Sequence, residues 1–256
     1  EIITNEKTEI PLLIRMRKLY SLKAEGWYKG DFHAHGVHGE KLYKVNIPFM
    51  AFILRAENYD WFYISSDFNN DGLKTDPYAI AAKEAGDDLF LGLNSEYPKT
   101  KGGHVGNVGI NAPEKPKAFS NYSNIETIKL DIAEKGGAAV PVHPLEGHMC
   151  YRELPFILLG APELMNGFDF YTGSKIADAQ KLYFMFLNKG YKLGLTATSD
   201  SAFDLGRTPG TMGATYIYCG SEKPDKNRIT QAIKNGNTVV AWEKSFIKFN
   251  VAGKVC

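Results

Sequence analysis

Tyr28-Lys29-Gly30-Asp31-Phe32-His33-Ala34-His35 is the stretch on which the reading of this chain turns. As a strand it presents Asp31, His33 and His35 on one face, because side chains alternate with a period of two. Three metal-competent side chains then converge just ahead of Gly36, which ends the run. Taken alone, the octapeptide is equally a hydrophilic strand end with two incidental histidines. The other histidines tip the balance: the chain has only six, and His104 and His143 each sit where a further predicted strand begins or ends.

Working outward, 256 residues with 44% hydrophobic content suffice for one large α/β domain or two small ones with a proper core. A net charge of +1 and a pI near 7.9 give no electrostatic reason to expect a nucleic-acid polymer, so a small, modestly charged substrate fits better. No apolar run approaches the ~20 residues that a bilayer span needs. Cys150, Cys219 and Cys256 are too scattered for a disulfide framework or a Cys-x-x-Cys zinc cluster, and read as structural thiols. The chain begins at Glu1 rather than Met, which leaves room for an upstream domain or a removed signal peptide. With a signal peptide the expected location is bacterial periplasmic or secreted, and without one it is cytoplasmic.

Strand and helix signals alternate from Trp27 onward, after a lead-in over residues 1–26. Asn46 with Pro48 predicts a helix start, with Phe49, Ile53 and Ala56 at helical spacing. Strands are expected over residues 61–65, 89–93, 105–110, 138–142, 167–171, 193–198, 215–218 and 238–242. Between them, helices are expected from Asp76-Pro77 to Gly86, from Ser123 to a stop at Gly136-Gly137, from Ser174 to Gly190 and over residues 225–235. Ile176, Ala179, Tyr183 and Phe186 are the inward face of the third of these. Repeated β-then-α units argue a parallel sheet covered by helices, and roughly seven of them suggest a closed or nearly closed barrel. In such barrels chemistry gathers at the carboxyl ends of the strands, which is where His33, His35, Asp67, Glu96, His143 and Asp200 all fall.

Imidazoles from separate segments with two or three carboxylates suit a mixed nitrogen and oxygen site for Zn²⁺, Mn²⁺ or Fe. Glu96 can bridge two ions, which suits hydrolysis by a shared hydroxide, since water at neutral pH is a poor nucleophile.

Gly30-Asp31-Phe32-His33-Ala34-His35, Ile64-Ser65-Ser66-Asp67, Glu96, Gly103-His104-Val105, Val142-His143-Pro144 and Thr198-Ser199-Asp200-Ser201 together resemble, in order and spacing, the motifs of the PHP (polymerase and histidinol phosphatase) metallohydrolase superfamily. Within it the resemblance is best to the branch that includes carbaryl hydrolase, and it covers roughly Trp27 to Trp242. It implies an α/β fold, a distorted (β/α)7 TIM-like barrel over residues 27–243 with a metal cluster at its mouth. Carried over by position, it implies that His33, His35, Glu96 and Asp200 hold one ion, and Glu96, His104 and His143 a second. Phe249-Asn250-Val251-Ala252-Gly253 resembles the opening of the small β domain that often follows, so residues 244–256 are expected to begin a β segment.

Two departures matter. Phe68 follows Asp67, and Ala202 stands two places after Asp200, where the superfamily commonly has histidines of a third metal position. Two divalent ions are therefore expected rather than three, Zn²⁺ first, with Mn²⁺ or Fe²⁺ as alternatives. His38 is either a partial replacement or a solvated loop residue, and His148 reads as exposed or as support for the site.

Asp67 either positions water, protonates a leaving group or caps its loop, and with Glu96 and Asp200 it is a candidate catalytic residue. Lys101 and Arg207 are candidates for holding an anionic substrate group, although most loop cations simply face water. The expected activity is metal-dependent hydrolysis of a small-molecule ester-type bond, either a phosphoester or a carboxylic ester, carbamate or amide. The competing expectation is a PHP-fold binding protein that has lost turnover, and a sugar-acting barrel with paired carboxylates ranks last because it leaves the histidines idle.

Overall fold

The stretch that opens the sequence is two short strands, not one. In the computed structural model, which describes residues 20–36, 45–65, 77–94, 96–97, 105–110, 132–145, 162–170, 176–242, 250–251 and 254–255, β1 (Trp27–Asp31) stops and β2 (Ala34–His35) resumes after a two-residue gap. Asp31 makes the break: its Oδ1 accepts the His33 backbone N–H at 2.8 Å, a local turn that takes that amide out of the ladder. The expectation of one continuous strand through His35 is thereby corrected. The Asp31 carboxylate is taken up by backbone amides, those of His33 and Ser199.

Local signals place the next elements well. α1 (Ile47–Ala56) is capped by the Asn46 side chain, which accepts the Phe49 N–H at 2.9 Å, with Pro48 in the first turn. Its buried face, however, is Ile47, Met50, Ala51 and Leu54, whereas Phe49 is 48% exposed. The helix is apolar nearly all round, so both sets have helical spacing, and packing on the sheet chose between them. β3 (Trp61–Ser65), α2 (Pro77–Ala85), β4 (Phe90–Asn94), β5 (Glu96–Tyr97), β6 (Val105–Val108), β7 (Ala138–Pro141) and β8 (Gly167–Asp169) follow.

α3 (Ile176–Asn188) buries Ala179 and Phe186 as expected, but leaves Ile176 exposed. β9 (Gly194–Thr196), β10 (Ser201–Ala202), β11 (Ala214–Tyr218), α4 (Lys226–Asn235) and β12 (Thr238–Ala241) complete the main body. α4 is capped by Asp225 at one end and by Gly236, at φ +70°, at the other. β13 (Asn250–Val251) and β14 (Lys254–Val255) form a small antiparallel pair. The helix expected from Ser123 lies outside the described residues apart from its last positions.

The strands make a mixed α/β architecture. One seven-stranded sheet runs β10-β2-β3-β1-β11-β12, with β4 on the other edge of β3. Its β1–β3, β2–β3, β3–β4 and β10–β2 pairs are parallel, and its β1–β11 and β11–β12 pairs antiparallel. β5-β6-β7 is antiparallel, and β8–β9 is parallel. Among the described residues the ladders therefore form separate sheets and do not close into an all-parallel barrel.

Side chains and loop amides stitch the sheets together where ladders stop. Asn94 Nδ2 donates to Asn107 O at 2.9 Å, linking β4 to β6. Asn166 exchanges two bonds with Ala139, linking the start of β8 to β7. The Thr215 hydroxyl both accepts from Ala197 N and donates to Ala197 O, linking β11 to the residue after β9.

β1 and β3 are buried along their whole length, which is why β3 reads as an apolar run rather than an alternating one, whereas β1 carries Lys29 and Asp31 into the interior. Trp61, fully buried, lies across Gly30, where an added Cβ would come 1.9 Å from its ring. Its indole N–H donates to Tyr28 O at 3.1 Å, so the large ring is both packed and satisfied. Tyr63, Phe168 and Phe170 are core residues. Cys219 is a half-buried free thiol, and burial pushes it up to about 11.

Candidate metal centre

Five side chains from four parts of the chain meet at one end of the strands. His33 and His35 come from the broken strand at β2, Glu96 from the first residue of β5, His143 from just after β7 and Asp200 from just before β10. The imidazole centroids of His33 lie 5.3 Å from those of His35 and 5.2 Å from those of His143. His35 Nε2 and His33 Nε2 stand 3.1 and 3.3 Å from Asp200 Oδ1. Glu96 turns Oε1 to His143 Nε2 at 3.0 Å and to His33 Nε2 at 3.5 Å, and Oε2 to His35 Nε2 at 3.5 Å. His33, His143 and the two carboxylates, placed at one rim by sequence reasoning, are thus neighbours.

Backbone geometry at this rim is unusual. Asn58, His143 and Asp200 are the described non-glycine residues with positive φ, at 61°, 34° and 45°. Asn58 follows a helix end, where asparagine tolerates this region. His143 and Asp200 belong to residue types that also enter this region more readily than most, yet neither follows a helix end, and a non-glycine residue held there costs about 1–3 kcal/mol. That strain sits on two donors of the cluster.

Beneath the imidazoles lie two further carboxylates, both fully buried. Asp31 accepts the His33 N–H through Oδ1 and the Ser199 N–H through Oδ2, at 2.8 and 3.0 Å. Asp169, at the end of β8, accepts the Thr198 hydroxyl at 2.7 Å and the His143 N–H at 3.2 Å through Oδ2. Burial pushes Asp31 up to about 7 and Asp169 up to about 6, against the pull of these hydrogen bonds. Asp200 behaves oppositely. Burial alone would push it up, but the His35 hydrogen bond and the charges of His33, His35 and His143 outweigh that and hold it below the usual carboxylate range.

The donor set fits a divalent cation. Donors about 2.0–2.1 Å from one ion in a tetrahedral array lie roughly 3.3–3.4 Å from one another. The contacts of His33 and His35 with Glu96 and Asp200 run from 3.1 to 3.5 Å. Both ring nitrogens of His33 are buried and make no hydrogen bond among the described residues, a costly state for an imidazole unless a cation takes its lone pair. Two triads have their donor atoms within 4.8 Å of one another, His33-His35-Asp200 and His33-Glu96-His143. One ring nitrogen ligates one ion, so His33 completes one triad or the other. Imidazole and carboxylate donors without thiolate suit Zn²⁺, Mn²⁺ or Fe²⁺ alike.

Of the other expected site residues, His104, Asp67, Lys101, His38 and His148 lie outside the described residues, as does Phe68. Arg207 is exposed in the turn after Gly206, its backbone amide on Ala202 O at 3.0 Å. Among the described residues its guanidinium makes no ion pair. Sequence reasoning missed Asp169 and Asn94. A lone acid inside Gly167-Phe168-Asp169-Phe170 was a signal for the first, because an unpaired charge within an apolar strand needs a buried partner. Asn94 donates to Phe32 O and Asn107 O and accepts from Ser65 Oγ, and nothing local to it announces that role.

No protein-family model matches the sequence, and no curated protein does. The fold does have a solved counterpart. A two-domain protein from Bacteroides vulgatus ATCC 8482, described as containing a predicted PHP-like metal-dependent phosphoesterase, matches with a TM-score of 0.61 at 16% identity. The match covers 91% of this chain and 69% of that one. The likeness is one of fold, so the class defined here is a mixed α/β chain that shares the fold of this neighbour and carries a candidate His/Asp/Glu metal centre.

Proposed function

We propose that this chain is a metal-dependent hydrolase of the PHP superfamily acting on a small-molecule ester-type bond. The convergence of His33, His35 and His143 on Glu96 and Asp200 is the observation that carries the reading. His33, His35, Glu96 and Asp200 would hold one divalent cation, and Glu96 with His143 and His104 a second. Bound there, such cations supply what side chains cannot, an ionised water as nucleophile at neutral pH and polarisation of the bond being broken. Glu96 and Asp200 keep the imidazoles oriented, and Asp67 is the candidate for moving a proton to or from water or leaving group.

The fold neighbour favours a phosphoester, while the motif resemblance to the carbaryl-hydrolase branch favours a carboxylic ester, carbamate or amide. Lys101 and Arg207 are the candidates for meeting an anionic substrate group. The catalytic unit is taken as residues 27–243, a distorted (β/α)7 barrel in its full extent, with 1–26 leading in and 244–256 opening a β segment.

One observation favours a second reading, a binding protein without turnover. Ala202 pairs with His35 across β10 and β2, so an apolar methyl stands beside the cluster where a further histidine is common in the superfamily. Elemental analysis of protein purified without added metal, with a panel of phosphate, carboxylate and carbamate esters, separates the two. The hydrolase reading expects bound divalent metal and hydrolysis that falls on the order of 10²-fold or more in His33→Ala. Metal-replete protein inert on every ester class would favour the binding reading.

A further inference from the structure

We infer that Asp169, acting with Asp31, is a positioning residue of the metal centre, fixing the backbone that carries His143, His33 and Asp200. This rests on the metal-centre reading above, and extends it to residues that touch no candidate ion.

Asp169 is fully buried at the end of β8, in register with Thr196 of β9. Its Oδ2 receives both the His143 amide and the Thr198 hydroxyl, so one oxygen joins two ligand-bearing segments that follow different strands. Asp31 does the same one step away, receiving the His33 and Ser199 amides on its two oxygens. The Asp200 amide completes the set by donating to His33 O at 3.0 Å. Thr198, Ser199 and Asp200 are thus tied at three successive residues, to Asp169, to Asp31 and to the backbone of His33.

Why acids stand here follows from the donors. Every group that meets these oxygens is an N–H or O–H, and the interior offers little water to receive it, so each site needs an acceptor with room for two donors. Among the described residues neither acid is paired with a lysine or arginine. A purely structural ion pair does not explain them. The strained φ at His143 and Asp200 gives the ties a purpose, since such backbone persists only when its surroundings over-determine it. Groups that orient metal-binding side chains typically govern metal affinity by 10–100-fold.

Titration of the metal-free full chain with Co²⁺, followed by visible absorption, tests this, with thermal unfolding of the metal-free protein measured in parallel. Asp169→Asn keeps the shape but replaces an acceptor oxygen with a donor. It is expected to bind Co²⁺ about 10–100-fold more weakly and with an altered spectrum. Thr198→Val removes one tie and leaves the acid, and should weaken binding several-fold. Ile233→Val, a core change on α4 that touches none of the ties to Asp169 and Asp31, should lower the melting temperature alone. Asp169→Asn that folds and binds with wild-type affinity and spectrum overturns the inference. If that variant does not fold, wild-type binding by Thr198→Val overturns it instead. Wild-type protein that binds no divalent ion removes the metal-centre reading and this inference together, whereas unchanged variants of a metal-binding wild type remove only this inference.

Discussion

Two pairs of carboxylates lie within one site and do opposite things. Glu96 and Asp200, at the rim, face imidazole nitrogens, and Asp200 is held charged by them. Asp31 and Asp169, on the floor, face backbone amides and a hydroxyl, and burial pushes both up. The residue type is the same or one methylene apart. Surroundings alone make one pair candidate metal ligands and the other pair fasteners.

The largest effects should separate rim from floor. Asp200→Asn is expected to lose at least ten-fold in divalent-metal affinity, since a charged donor is gone, while the metal-free protein unfolds at nearly the wild-type denaturant concentration. Asp31→Ala should do more damage to the fold. It leaves the His33 and Ser199 amides without their acceptor, at about 1–3 kcal/mol each, visible as a lower midpoint of urea unfolding. If the two variants behaved alike in both measurements, the distinction between rim and floor would be lost. Wild-type protein should also gain stability when a divalent cation is added, by about 2.7 kcal/mol at a hundredfold excess over its Kd, and Asp200→Asn should gain less.

Gly30→Ala tests the floor from beneath. The added methyl meets the Trp61 ring, and relief requires shifting a fully buried side chain, so a loss of about 1–3 kcal/mol is expected, with the metal content of the folded fraction unchanged. The smallest effect is expected farthest from either pair. Asn46→Ala removes the α1 cap and should cost about 1 kcal/mol, with no change in metal affinity.

Much of the fold was legible because its signals are short-range. Asn46 and Asp225 announced helix starts through side-chain hydrogen bonds that span three residues. Trp61 to Ser65 announced a buried strand through its own apolar run. The candidate ligands His33, His35, Glu96, His143 and Asp200 were legible because each falls at or near a strand end. What went unread needed partners distant in sequence: the inward face of α1, the antiparallel pairing of β11 with β1, and the fastening roles of Asp169 and Asn94. The Asp31–Ser199 bond links positions 168 apart, and no local pattern encodes it.

The sequence by itself determined the donor chemistry, because imidazoles and acids without nearby cysteines leave nitrogen and oxygen as the available ligands. It also determined where the chain turns from strand to helix. Only the tertiary structure decided which acid meets the imidazole nitrogens and which takes backbone amides. Asp31 is two residues from His33 and yet serves its backbone, while Asp200 arrives from the far end of the chain to face its ring. The physical reason is that a carboxylate's role follows from the donors that packing brings to it, and packing is settled by the whole fold.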